Sequence, residues 1–226
     1  MNQFLEKWDR YEGLINMTYK TIPYVCPELK ISNKTSIVGA SGSLKNSNLG
    51  DIIDMYDDVI RFNRSPTNGF ERDVGSKTTL RVVNNNVLAN KDISKYGYTN
   101  SPPNFVKDLR HSRLLYIGSD YGPWHKRKVH THNSNKVLLY DYTSISELKA
   151  FLNCSFPQYL LTGSIIVGLC VLAGIKPTLF GFDIEPMSRT HYYEDRPKEW
   201  NDVHHNPSEE QKMLKRLRDA NQIEIY

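Results

Sequence analysis

Residues 35–79 of the chain read TSIVGASGSLKNSNLGDIIDMYDDVIRFNRSPTNGFERDVGSKTT and contain the pattern that decides the fold. A short apolar run ending at Val38 meets a turn with two glycines, Gly39 and Gly42, and a second apolar run follows at residues 59–62. The order of strand, glycine turn, helix and strand is typical of the start of a βαβ unit. Glycines let the backbone approach a ligand closely, and the N–H groups at a helix start favour a phosphate. The stretch therefore predicts a phosphate-sized binding site, with a turn that binds nothing as the alternative.

The end of the second strand argues against an NAD site. In dinucleotide-binding folds an acidic residue near this point grips a ribose. Here the chain carries Arg61, Asn63 and Arg64, with no acid among them. NAD is therefore disfavoured, whereas NADP stays open on this ground alone.

Strand and helix patterns alternate along the rest of the chain. Apolar runs at residues 79–83, 114–117, 137–140 and 178–180 predict further strands. Helical patterns lie between them, among them a helix predicted at residues 144–153. This alternation predicts an α/β fold with a Rossmann-like, mostly parallel sheet flanked by helices. At this length we expect a single domain over residues 1–226, with an N-terminal amphipathic segment at residues 1–30 and a catalytic core at residues 31–226.

Composition and charge restrict the function classes. The chain has 39% hydrophobic and 24% charged residues, as soluble globular proteins do. Its net charge of +4 suits an anionic substrate and is too small to predict nucleic-acid binding. Three cysteines lack metal or redox spacing, and residues 1–9 hold no sustained apolar run. We therefore expect a cytoplasmic protein, with peripheral membrane contact through residues 1–30 as an alternative.

The whole of residues 35–79 resembles the large sialylmotif of the sialyltransferases in glycosyltransferase family 29. The matching positions are Val38-Gly39, Ser41-Gly42, Leu44, Leu49-Gly50, Ile53-Asp54, Asp57, Val59-Ile60-Arg61, Asn63, Pro66-Thr67, Gly69-Phe70-Glu71 and residues 73–79. A match this dense is more specific than a glycine pattern. The resemblance implies the GT-A-like variant of the Rossmann-like sheet, with Ser41, Ser43 and Asn63 binding a donor nucleotide sugar.

A second stretch, residues 159–183, reads YLLTGSIIVGLCVLAGIKPTLFGFD and resembles the small sialylmotif of the same family. The resemblance implies that the helix start at Thr162 and Gly163 holds the carboxylate of the donor sugar. It also implies that the strand end at Asp183 lies against the nucleotide and that Tyr159 contacts the donor. A helix start offers N–H groups and a hydroxyl to an anion, which is the physical reason for such a role. Without the large motif, an ordinary buried helix with a threonine cap would explain the pattern.

Residues 190–194, THYYE, resemble the third sialylmotif. The resemblance implies that His191 faces the phosphate leaving group, where a hydrogen-bond donor would stabilise the charge that develops as the bond breaks. A histidine among aromatic residues is otherwise more often structural.

Residues 203–210, VHHNPSEE, resemble the very small sialylmotif, a histidine followed five residues later by glutamate. Two registers fit, His204 with Glu209 and His205 with Glu210. The distance to the last predicted strand favours His205 as the general base, with Glu210 and His204 in supporting roles. An ordinary helix start remains the alternative reading of the glutamates.

Several positions depart from the family pattern. Ala40 and Ser43 stand where family members usually carry asparagines, the second of which normally reaches the donor phosphate, and residues 160–161 replace a proline and a hydroxyl residue. The cysteine pair of the animal members is also absent, because Thr35 and Gly174 occupy its positions. The missing pair fits a protein made in the cytosol, and the other changes leave the donor sugar open.

Together the motifs predict an inverting glycosyltransferase that moves sialic acid from CMP-sialic acid to a hydroxyl of a glycan or glycolipid acceptor. The CMP-sugar is a substrate, and we expect no cofactor and no metal, as the resemblance implies. Residues 119–132 predict a solvated basic loop, with contact to the acceptor or to the donor charge as one alternative. A zinc site at His125, His130 and His132 is the other alternative, although it lacks a fourth ligand. The alternatives for the function are transfer of a related CMP-sugar such as CMP-3-deoxy-manno-octulosonic acid, a CMP-sugar-binding protein without transferase activity and, more remotely, an NADP-dependent oxidoreductase.

Overall fold

The computed structural model describes residues 19–21, 29–84, 113–117, 137–139, 145–153, 160–185, 191–193 and 207–226. The strands in these ranges are β1 (Tyr19–Thr21), β2 (Lys30–Ser32), β3 (Thr35–Val38), β4 (Asp58–Phe62), β5 (Leu80–Asn84), β6 (Arg113–Ile117), β7 (Val137–Leu139), β8 (Thr178–Phe180) and β9 (Glu224–Ile225). The α-helices are α1 (Gly50–Asp54), α2 (Glu71–Val74), α3 (Ile145–Phe151), α4 (Thr162–Leu172) and α5 (Pro207–Asp219).

Seven of the described strands form one parallel sheet in the order β7-β6-β5-β4-β3-β8-β9. The chain moves outward from β3 to β7 and then returns to the other side of β3 with β8 and β9. The strand order therefore reverses between β3 and β8. In open parallel sheets, ligands bind outside the carboxyl ends of the strands at such a switch point. The predicted α/β fold with a mostly parallel sheet is confirmed.

The central strands and helix α4 are buried. Every residue of β3 and β4 is buried, as in parallel sheets with helices on both faces. Helix α4 is buried from Ser164 to Cys170, and its apolar residues surround the whole helix axis. The main core joins α4 to the sheet and to α5. It includes Ile37, Ile60, Leu80, Val82, Ile166, Leu169, Leu179, Met213 and Leu217.

Two features of the fold differ from the sequence expectation. Strands β1 and β2 form an antiparallel pair outside the main sheet, in which Thr21 lies opposite Lys30, and no sequence pattern predicted it. The antiparallel pair has only three residues per strand, too few for a period-two pattern to stand out. Helix α3 also ends two residues earlier than predicted, at residue 151 instead of residue 153. Within the described ranges, no helix is long and apolar enough to cross a membrane.

Candidate active site at the switch point

Two glycines bring the ends of β3 and β8 into close contact. The Gly39 N–H donates to the Phe180 carbonyl oxygen at 2.7 Å. A Cβ atom on Gly39 would lie 2.3 Å from the Gly181 carbonyl oxygen, so no larger residue fits there without a backbone shift. Gly181 has a φ of 67°, in the left-handed region that favours glycine. The two connections that leave the switch point therefore run side by side.

Ser41, Ser43 and Asp183 form a hydrogen-bonded group across this contact. The Ser41 hydroxyl donates to Asp183 Oδ2 at 2.6 Å, although the two residues are 142 positions apart. The Ser43 backbone N–H and the Ser43 hydroxyl both donate to Ser41 Oγ, at 3.1 Å and 3.0 Å. Ser41 and Asp183 are partly exposed and Ser43 is exposed, so the group is accessible to a ligand. Three residues predicted to bind the donor are thereby brought together.

Tyr192 holds the adjacent residue, His191, beside the group of Ser41, Ser43 and Asp183. Residues Ser41 and His191 form an antiparallel β-bridge, and the Tyr192 N–H donates to the Ala40 carbonyl oxygen at 3.1 Å. The Tyr192 hydroxyl donates to the Pro66 carbonyl oxygen, and burial raises the pKa of this phenol above its ordinary value. The His191 ring stacks on Tyr193 with ring centroids 4.9 Å apart. The backbone of His191 is thus held against the glycine turn of the large motif.

The start of α4 lies against the ends of β4 and β8. A Cβ atom on Gly163 would lie 3.0 Å from the Phe182 ring and 3.8 Å from the Phe62 ring. The two phenylalanine rings contact each other edge to face, with centroids 6.4 Å apart. Each of these rings immediately precedes a predicted donor-binding residue, Asn63 or Asp183. Thr162 and Gly163 therefore lie at the same edge of the sheet as Asn63 and Asp183.

Asn63 ends β4 with a backbone turn. Its φ of 45° lies in the left-handed region, which asparagine tolerates better than most residues, and its N–H donates to the Val82 carbonyl oxygen at 2.7 Å. We call residues 39–43, 63, 162–163, 181–183 and 191 together the switch-point site.

Glu210 fastens α5 to the start of α4. The buried carboxylate accepts a hydrogen bond from the Leu161 N–H at 2.8 Å and another from the Ser164 hydroxyl. Leu161 is the N-cap residue of α4 and makes no side-chain cap, and Thr162 is the first helical residue, so the alternative of a threonine cap does not describe this helix. Glu209 instead pairs with Lys212 at 2.6 Å on the surface. An ordinary helix start therefore explains Glu209 and does not explain Glu210.

Some predicted residues lie outside the described ranges. These are the candidate base His205, its neighbour His204, the donor contact Tyr159, and the histidines at positions 125, 130 and 132. The structure therefore leaves their predicted roles as predictions. Among the residues that it does describe, no group of three or more histidine, cysteine, aspartate or glutamate side chains is arranged to hold a metal ion.

Sequence reasoning missed two links within the site. The hydrogen bond between Ser41 and Asp183 joins the large and small motifs, and the one between Glu210 and Ser164 joins the small and very small motifs. Neither pair has a sequence signal of its own, because both partners are brought together only by the strand order. Tyr192 could have been found, since it stands within the THYYE motif, yet only the structure shows its bond to Pro66.

Comparison with known families gives a match along nearly the whole chain. Residues 2–222 match the model of glycosyltransferase family 29, the sialyltransferases. A β-galactoside α-2,6-sialyltransferase 2 of Gallus gallus is 51% identical over 89 residues, which cover 39% of this chain and 15% of that protein. A β-galactoside α-2,6-sialyltransferase 1 of Mus musculus is 40% identical over 119 residues, which cover 53% of this chain and 25% of that protein. The matches thus span a quarter or less of the length of these relatives.

A solved structure shares the fold. It is a mammalian sialyltransferase in complex with Gal-β-1-3GalNAc-ortho-nitrophenol, with a TM-score of 0.60 and 23% sequence identity, and the alignment covers 85% of this chain and 68% of that one. At this identity the likeness concerns the fold alone. Because the family model covers far more than half of the sequence, the chain belongs to glycosyltransferase family 29, the sialyltransferases.

Proposed function

We propose that the chain is an inverting sialyltransferase that moves sialic acid from CMP-sialic acid to a hydroxyl of an acceptor sugar. The observation that carries the proposal is the convergence of three separate motif segments on one sheet edge. The Ser41 hydroxyl binds Asp183, the backbone of residues 191–192 binds the turn at residues 40–41, and Gly163 lies against Phe182. Family membership supports the chemical class, and the switch point is where we propose that the donor binds.

In this proposal the donor lies across the switch-point site with its two anionic groups near hydrogen-bond donors. The first N–H groups of α4, at Thr162 and Gly163, have no partner within the helix and carry the positive end of its dipole. They suit the carboxylate of the donor sugar. The apolar rings of Phe62 and Phe182 beneath this helix start limit the water that competes for those N–H groups.

The reaction then needs a base and a group that assists departure of CMP. His205 removes the proton from the acceptor hydroxyl as that oxygen attacks the anomeric carbon, and the bond from this carbon to the phosphate oxygen breaks. His191 donates a hydrogen bond to the phosphate as its charge develops, which lowers the barrier most when the donor is already positioned. We propose that no metal takes part, so hydrogen bonds and His191 carry the stabilisation of the phosphate.

Glu210 supports the choice of register within the very small motif. Its carboxylate ties the start of α5 to the start of α4, next to the proposed site of the donor carboxylate. Glu209 makes an ion pair with Lys212 on the surface. This contrast favours His205 with Glu210 over His204 with Glu209.

The test is release of CMP from CMP-sialic acid, measured with and without galactose-terminated acceptors in the presence of EDTA. We expect acceptor-dependent release that survives EDTA, falls by about a hundredfold or more in His205→Ala, and falls much less in His204→Ala. Loss of release in EDTA would contradict the metal-independent part of the proposal. Binding of CMP-sialic acid without release for any acceptor would favour a binding protein. Release from CMP-3-deoxy-manno-octulosonic acid alone would favour the other donor.

A further inference from the structure

The hydrogen bonds among Ser43, Ser41 and Asp183 have a fixed direction. An ionised carboxylate only accepts hydrogen bonds, so the single hydroxyl proton of Ser41 must point to Asp183 Oδ2. Ser41 Oγ then has no second proton to offer, and the 3.0 Å contact with Ser43 requires the Ser43 hydroxyl to donate. Both serine protons are therefore directed along the chain of oxygens toward Asp183.

This direction determines what the group offers to a ligand. The Ser43 hydroxyl oxygen retains lone pairs and has already placed its proton on Ser41. Asp183 Oδ1 accepts no hydrogen bond from any described residue, and Asp183 is partly exposed. The group therefore presents two acceptor oxygens and a negative charge. A phosphate has only acceptor oxygens and the same sign of charge, so it is repelled here, whereas a ligand with two hydroxyl groups is well matched.

We propose that Asp183, oriented by Ser41 and Ser43, is a specificity-determining residue that binds the vicinal hydroxyl groups of the donor ribose. This inference rests on the proposed function and specifies how the nucleotide lies in the site. The ribose is held at the Asp183 side, and the phosphate lies away from Asp183, toward the start of α4. The inference departs from the expectation that Ser43 replaces a phosphate-binding asparagine.

The ribose diol fits this group better than the cytosine amine does. The two acceptors, Asp183 Oδ1 and Ser43 Oγ, belong to separate residues joined through Ser41. Two hydroxyl groups on adjacent ribose carbons can each reach one of them, whereas the two protons of an amine diverge from a single nitrogen. Acidic residues at strand ends of dinucleotide-binding folds bind ribose hydroxyls by the same chemistry. Here the acid follows β8, and residues 61–64 at the end of β4 contain none.

The experiment is a calorimetric titration of the full chain with CMP, 2′,3′-dideoxy-CMP and UMP. Dideoxy-CMP lacks the ribose hydroxyls that would donate to the charged carboxylate of Asp183. We therefore expect wild type to bind CMP at least about tenfold more tightly than dideoxy-CMP. In Asp183→Asn the carboxamide oxygen still accepts the Ser41 proton while the charge is lost. We expect this variant to bind CMP about tenfold more weakly, to bind dideoxy-CMP as wild type does, and to keep the ratio of CMP to UMP affinity. Asp219→Asn, at an exposed aspartate that pairs with Arg218, is the matched control and should behave as wild type.

Several outcomes would overturn the inference. Equal affinity of wild type for CMP and dideoxy-CMP would overturn it while leaving the proposed function intact, and this comparison does not depend on any variant. Tighter binding of CMP by Asp183→Asn would place the phosphate beside the carboxylate. A change in the ratio of CMP to UMP affinity, without a change in the ribose preference, would assign Asp183 to the base. Failure of wild type to bind any cytidine nucleotide would overturn both the inference and the proposed function.

Discussion

Two groups of polar side chains on the same sheet have opposite surroundings. Arg61 on β4 and Arg81 on β5 lie side by side in register, with relative exposures of 1% and 0%. Ser41 and Asp183, at the ends of β3 and β8, are partly exposed. The arginines donate to the loops of their own chain, whereas the oxygens of the second group keep acceptor capacity for a ligand. Burial thus separates the polar residues that hold the large motif together from those that we propose to bind a substrate.

The contrast explains why residues 35–79 form such a dense motif. Arg61 binds the carbonyl oxygens of Val74 and Lys77, and Arg81 binds that of Ser65. These bonds fix the loops after β4 and α2. Burial lowers the pKa of Arg61 to about 10, so the guanidinium still carries its proton near neutral pH and can donate. Much of the motif therefore serves the fold, and only part of it reaches the switch-point site.

The largest expected effect comes from removing the buried guanidinium. Arg61→Ala leaves a cavity and deprives Val74 and Lys77 of a donor, so we expect the free energy of unfolding to fall by about 3–5 kcal/mol in urea denaturation. The control Arg218→Ala removes an exposed arginine and should change it by about 0.5 kcal/mol or less. A loss below about 1 kcal/mol for Arg61→Ala would contradict the structural role of the buried pair.

Glu210 is buried like the two arginines and also lies beside the switch-point site. Its replacement is therefore expected to change both stability and activity. Glu210→Ala leaves the Leu161 N–H and the Ser164 hydroxyl without their acceptor, and we expect a loss of about 2–3 kcal/mol in the free energy of unfolding. The rate of CMP release should also fall, because the start of α4 is no longer held. The matched variant Glu209→Gln should lose about 0.5 kcal/mol or less and keep its rate. Equal effects of the two variants would reopen the choice between the two histidine registers.

Ser41→Ala tests the role of the partly exposed group. It removes the link between Ser43 and Asp183, so we expect a loss of only about 1 kcal/mol in stability together with about tenfold weaker CMP binding. The control is Ser47→Ala, since the half-buried Ser47 hydroxyl donates to the Asp73 carbonyl oxygen at 3.2 Å outside the switch-point site. It should lose a similar amount of stability and bind CMP normally. Unchanged CMP affinity in Ser41→Ala would show that the serine serves the fold alone.

The smallest effect is expected at a buried thiol. Burial raises the pKa of Cys170 to about 12, and the side chain lies inside α4 away from solvent. We expect no labelling of Cys170 by iodoacetamide at pH 8 in the native protein and complete labelling in denaturant, as read by peptide mass spectrometry. Labelling under native conditions would show that the core around α4 opens readily.

The comparison also shows how far sequence reasoning can reach. The elements that border the glycine turn could be predicted, because buried parallel strands read as apolar runs and the turn carries its own glycines. The order that places β8 beside β3 could not be read from local pattern, and that order creates the bond between Ser41 and Asp183. Residue types therefore pointed to the right motifs. The geometry of those motifs, such as the hydrogen bond that the Ser43 hydroxyl donates to Ser41, depends on contacts between distant segments.

The central claim is that the donor nucleotide binds at the reversal of strand order between β3 and β8. The most direct measurement is a crystal structure of the chain with CMP bound. We expect the ribose hydroxyls within hydrogen-bond distance of Asp183 and Ser43, and the phosphate on the side of His191 and the start of α4. A nucleotide bound at another part of the sheet, or bound at this edge with its phosphate against Asp183, would contradict this expectation.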